Sequence, residues 1–264
     1  PLVYKGLFLE ALGRMKEAES VLNAALRLAE QYKVKESQML SRILLARIYL
    51  AQNRPDEAVE KLTEAAQVAE TLNPLAARFY LLVAGSAQRR YGSATESLET
   101  YSRAVAYQPE KAWPAYYGRA LALEKLGRPE EALTELEQAL DQLGNSERLH
   151  SIAEVKAARA RLLASLERTN EALEIYDQAQ SALEYSPVLP AVTLEYGELL
   201  ETTGDARGAL EVYAQTLDVL AESGRRLDAE TRKLAMREIR EAAWFGEPEP
   251  VVKASPHPMF GKAR

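Results

Sequence analysis

Small side chains recur along this chain at fixed offsets, and that recurrence limits the fold more than any other feature. Ala18, Ala58, Ser97, Ala132, Ala172 and Ala209 stand 40, 39, 35, 40 and 37 residues apart. Seven residues after each anchor come Ala25, Ala65, Ala104, Ala139, Ala179 and Thr216. Four after each anchor the residue is large: Leu22, Leu62, Tyr101, Leu136, Tyr176 and Tyr213. Twelve before each anchor it is small again: Gly6, Ala46, Gly85, Ala120, Ala160 and Gly197. Offsets of four and seven fall on one helix face. The small residues let two helix backbones approach, and the large one fills the gap between neighbouring pairs. One such pair cannot bury its apolar face alone, so pairs must stack.

Nine before each anchor stand Leu9, Tyr49, Gln88, Leu123, Leu163 and Leu200. Gln88 departs from this apolar series, and Thr216 departs from the alanines of its own series. Proline placement agrees with the pattern. Pro55 and Pro129 fall where a second helix would start, a position at which a missing N–H costs nothing. Pro74 follows Asn73, a good helix cap. Pro109, Pro187 and Pro190 lie between proposed units.

The offsets resemble those of the tetratricopeptide repeat. That repeat has a small residue at its positions 8 and 20, an aromatic or leucine at 24, alanine at 27 and often proline at 32. Gly85, Ser97, Tyr101, Ala104 and Pro109 match it most fully. The resemblance covers residues 1 to about 224. It implies an all-α chain, a right-handed α-α superhelix of antiparallel helix pairs. Approximate units are 1–38, 39–77, 78–112, 113–152, 153–189 and 190–224. A polar-backed capping helix is expected over 225–245, pinned by Trp244 and Phe245, followed by an extended or disordered tail over 246–264. No cap is visible before the first helix, and further repeats or another domain are expected upstream of Pro1. Four of the five spacings exceed 36 residues, against the usual 34, in which the chain is similar to maltose-regulator-type transcription factors, peptide-pheromone receptors and kinesin light chains.

The residues for chemistry are sparse. There is no cysteine, so thiol nucleophiles and cysteine-zinc sites are excluded. The two histidines, His150 and His257, have no partners at metal-ligand spacing, and neither a metal nor a cofactor is implied. A net charge of −6 argues against nucleic acid as a partner. No apolar run approaches the roughly 20 residues that span a bilayer. The expected activity is therefore not enzymatic. The chain reads as an interaction scaffold or adaptor for a protein or peptide segment. The alternative is a ligand- or partner-sensing regulatory domain of a larger protein. A cytoplasmic location is expected, with the periplasm or envelope left open, and self-association is undecided.

In the family, the first helix of each pair lines a concave groove. Carried over residue by residue, the resemblance implies a groove formed by Arg47, Leu50, Phe79, Leu82, Ser86, Arg89, Tyr117, Leu121 and Arg161. Ile43, Leu44, Val83, Arg90, Lys125, Ala157, Ala158 and Leu194 extend it, and Glu195, Glu198 and Glu201 make its far end acidic. The middle would suit an extended peptide with apolar anchors and an acidic group, held by arginine forks and rigid aromatic rings. The carboxylate clamp of chaperone-tail-binding members is absent: its lysine position here holds Val3, Ile43, Leu82, Tyr117, Ala157 and Leu194.

Overall fold

A computed structural model of the chain describes residues 2–144, 149–182 and 189–222. The chain forms two compact bodies, Pro1–Gly144 and Asn145–Arg264. The first holds α1 (Leu2–Ala11), α2 (Met15–Gln31), α3 (Lys35–Ala51), α4 (Pro55–Glu70), α5 (Pro74–Tyr91), α6 (Ala94–Tyr107), α7 (Trp113–Lys125) and α8 (Pro129–Leu143), with a 3-10 turn at Pro109–Lys111. The second holds α9 (Leu149–Ser165), α10 (Thr169–Ala182), α11 (Leu189–Thr203) and α12 (Ala206–Glu222). The described residues contain no strand. The expected capping helix over 225–245 and the tail over 246–264 lie outside the described residues.

Helices pair in chain order, α1 with α2 through α11 with α12, and within each body each pair packs on the next. Every small and large residue of the repeating series is buried. Leu22, Leu136, Tyr176 and Tyr213 are among the largest fully buried side chains. A side chain of that size contributes about 1.5–3 kcal/mol when removed from water. Gly6 shows why the site twelve before the anchor is small. A methyl added there would stand 2.5 Å from Leu22 Cγ and Cδ2, well inside van der Waals contact.

The turn inside each pair also repeats. Five of the six pairs end the first helix with one left-handed residue: Gly13, Asn53, Gly127, Glu167 and Gly204. The next N–H then reaches back to the carbonyl of Leu9, Tyr49, Leu123, Leu163 or Leu200. This closes the helix end by the 6→1 bond of a Schellman turn. The residue after the left-handed one is Arg14, Arg54, Arg128 or Arg168 in four pairs. Each arginine forks onto a glutamate three residues on, as Arg14 does to Glu17 at 2.7 and 2.6 Å and Arg168 to Glu171 at 2.8 and 2.7 Å. These ion pairs span the first turn where a capping side chain would otherwise sit. Asp205 and Ser93 cap the remaining two: Asp205 Oδ1 accepts from the Gly208 N–H at 2.9 Å, and Ser93 Oγ from Glu96 at 3.3 Å. Asn73 caps α5 as the sequence suggested, accepting from the Ala76 N–H at 2.8 Å. Pro190 falls inside α11 rather than between units, in the first turn where proline is tolerated.

The pair α5/α6 departs from this rule. Gly92 is not left-handed, with φ −129°, and its N–H bonds the Gln88 carbonyl at 2.8 Å. Gln88 is 3% exposed and donates Nε2 to Thr63 Oγ1 at 3.2 Å.

Candidate functional site

In the first body, α3, α5 and α7 turn the side chains not used in pairing toward solvent. On α5, Phe79, Leu82, Ser86 and Arg89 follow one another at helical spacing. Phe79 is 56% exposed and meets Tyr80 edge to face at 5.0 Å. Leu82 is half-buried against the core. Ser86 is exposed and Arg89 half-buried.

Tyr101 joins two of these. It rises from α6 into the space left by Gly85 on α5 and Gly118 on α7, where an added methyl would collide with its ring. Its hydroxyl lies against Arg89 and Ser86. Burial pushes the phenol pKa up, against the opposing pull of Arg89 and of the two hydrogen bonds. The phenol therefore stays neutral and supports Arg89 from beneath. Lys125 of α7 donates Nζ to the Arg89 backbone carbonyl at 2.7 Å, which ties α7 to the last turn of α5.

The other expected residues divide. Arg47 is exposed on α3 but ion-paired to Glu10 of α1 at 2.9 Å. Leu50 is exposed, and Tyr117 and Leu121 are half-buried on α7. Arg161 lies in the second body, tied to Glu195 at 3.4 Å. Leu44, Ala157, Ala158 and Leu194, expected on the open face, are instead buried, because they turn toward helix neighbours within their bodies.

The second body repeats the tyrosine device with the opposite charge. Tyr213 donates its hydroxyl to Glu201 Oε1 at 2.7 Å, and Tyr176 donates to Glu195 Oε2 at 3.0 Å. Glu201 lies twelve residues before Tyr213, as Arg89 lies twelve before Tyr101. Sequence reading treated these tyrosines only as gap-fillers. The glycine paired with each of Tyr101 and Tyr213 was the available signal that the ring passes close to the facing backbone.

Several known proteins share this architecture. BtubC (BKLC) from P. vanneervenii has a TM-score of 0.66 at 17% identity, covering 83% of this chain and 97% of that one. A Podosopora anserina putative kinesin light chain with nearly identical TPR-like repeats has a TM-score of 0.58 at 22% identity, covering 72% and 97%. At these identities the likeness is one of fold. A peptide deformylase of Parafrankia sp. (strain EAN1pec) is 62% identical over 39 residues, 15% of this chain. The match spans only 21% of that relative's length, and so short a stretch carries no activity to this chain. Tetratricopeptide repeat models match residues 1–71, 43–104 and 82–147. Repeats of this kind are generally non-catalytic protein-interaction scaffolds. Together the matched segments span more than half of the sequence, and the chain belongs to the tetratricopeptide repeat family.

Proposed function

We propose that this chain is a binding scaffold that takes a segment of a protein partner across the exposed face of α3, α5 and α7. The observation that carries this reading is the Phe79–Leu82–Ser86–Arg89 row, with the Tyr101 hydroxyl beneath its basic end. Phe79 and Leu50 offer apolar area toward solvent, while Arg89, Arg90 and Lys125 gather positive charge at the last turns of α5 and α7. A partner segment with apolar side chains and a nearby carboxylate fits both halves. Its rings would meet Phe79, and its acidic group would meet guanidinium donors that Tyr101 already orders. The ordered arginine loses little freedom on binding, which favours affinity.

The test is affinity capture with the whole chain as bait, beside a Phe79→Ser/Arg89→Glu bait of equal helicity. A partner held by the first and released by the second supports the reading. Equal capture by both sinks it.

A further inference from the structure

Helix α1 is apolar on two faces. One face buries Gly6 and Leu9 against its neighbours. The other turns Tyr4, Leu7, Phe8 and Ala11 outward, with Leu12 just past the helix end, and all five are exposed. Their spacing, i, i+3, i+4, i+7 and i+8, is the one by which a helix ordinarily meets a core. Of the two charged residues of α1, Glu10 is held by Arg47, and Lys5 lies exposed among the apolar side chains.

The later pairs show what this face does elsewhere. Two residues after the small site, Ile48 of α3, Ala87 of α5 and Ala122 of α7 are buried, and each of these helices has a pair packed before it. The matching residue of α1 is Phe8, 69% exposed. Two residues before the small site, Leu44 and Gly118 are buried, and the match in α1 is Tyr4, 67% exposed. The outward face of α1 thus continues a surface that the stack covers in its later members.

Lys5 decides what can cover it. It stands where α3 and α5 bury Leu45 and Ala84. A helix pair stacked on α1 as on α3 or α5 would bury that ammonium without a partner, which is costly. The cover must be apolar and must also meet Lys5 with negative charge.

A second α1 meets both demands. Set antiparallel about Phe8, Tyr4 of one copy faces Leu12 of the other, and the two Phe8 rings meet. Lys5 then falls beside Ala11, the last residue of the facing helix, where free carbonyls carry the negative end of the helix dipole. A parallel arrangement would set Lys5 against Lys5. With about 150–250 Å² for each aromatic side chain, the exposed parts of the row cover roughly 400–500 Å² per copy. Twice that area lies at the low end of specific interfaces and suits a weak dimer.

We propose that two copies of this chain dimerise through α1, packed antiparallel across a two-fold axis at Phe8. The dissociation constant is on the order of 10–100 µM. The contact does not use the α3–α5–α7 face and does not rest on what that face binds.

The experiment is sedimentation velocity on the full chain from about 1 to 300 µM, a range that brackets the expected constant. The expected result is a reversible monomer–dimer equilibrium. Phe8→Lys changes an exposed side chain and sets like charges on the axis, so it should keep the helicity and weaken dimerisation at least about tenfold. The chain has no cysteine, which allows a test of the geometry. Tyr4→Cys and Leu12→Cys chains, told apart by mass, should form a disulfide with each other under copper-phenanthroline oxidation, and neither should do so with itself. A monomer throughout the range, undiminished dimerisation by Phe8→Lys, or equal cross-linking within the single variants overturns the proposal.

Discussion

The ring of Tyr213 occupies the space that any side chain at Gly197 would need. The two residues come from opposite helices of one pair, and the same relation joins Tyr101 to Gly85, where an added methyl would stand 3.0 Å from the ring. Ala46 and Ala120 face the slimmer Leu62 and Leu136, whereas Ala160 faces Tyr176 and Gly6 faces Leu22, so the close approach is set pair by pair.

Gly197→Ala should therefore destabilise the chain by about 1–3 kcal/mol through overpacking. Alanine's better helix propensity, about 1 kcal/mol, works against this and does not cancel it. Urea denaturation followed by circular dichroism measures the loss. Gly197→Ala/Tyr213→Leu recreates the pairing found at Ala46 and Leu62 and should recover most of it. If the double variant is no better than the single, the ring is not the obstacle.

Gln88→Leu should leave stability unchanged or raise it by about 1 kcal/mol, since a buried acceptor with no donor is removed. Thr63 keeps its bond to Val59. A loss above about 2 kcal/mol would mean that Oε1 is satisfied in the folded chain.

Thr216→Ala should cost more than its small change in size suggests. Thr216 Oγ1 lies 2.9 Å from Thr193 Oγ1 and accepts from Gln180 Nε2 at 3.0 Å, and both threonines are buried. Removing one hydroxyl strands its partners, at about 1–3 kcal/mol. Thr193→Val made alongside should restore part of the loss, and a double-mutant cycle gives the coupling. Strict additivity would show that the two hydroxyls act independently.

Acid should loosen the starts of α2, α4, α8 and α10. Hydrogen bonds from Arg14, Arg54, Arg128 and Arg168 hold the carboxyls of Glu17, Glu57, Glu131 and Glu171 below the usual range. A carboxyl with a depressed folded-state pKa stabilises fully above its unfolded value and loses that contribution as pH falls through the depressed one. Glu135 runs the other way. Its ion pair to Arg119 at 2.8 Å would lower its pKa, but burial outweighs it and pushes the value up. Protonating Glu135 thus favours the fold. Melting temperatures taken between about pH 7 and pH 3 should fall less in a variant with the four exposed glutamates changed to glutamine. An equal fall would show that the four pairs carry no pH-linked stability.

The exposed face was only partly legible. Phe79, Ser86 and Arg89 could be placed on one helix face by counting. Counting could not show that Tyr101 reaches Ser86 and Arg89 from another helix, that Glu10 holds Arg47, or that Arg161 belongs to the other body.

Sequence by itself determined the helix pairs, because each pair's small and large residues repeat at offsets that only stacked helices satisfy. It also identified Gln88 and Thr216 as exceptions. The tertiary structure decided what those exceptions do. It placed Gln88 against Thr63 and joined Thr216 to Thr193 and Gln180. It brought Tyr101 to Arg89 but Tyr213 to Glu201, and set arginine forks at helix starts in place of capping side chains. The reason is geometric. Periodicity fixes which way a side chain points around its own helix, whereas the group it meets belongs to another helix whose approach depends on every small residue between them.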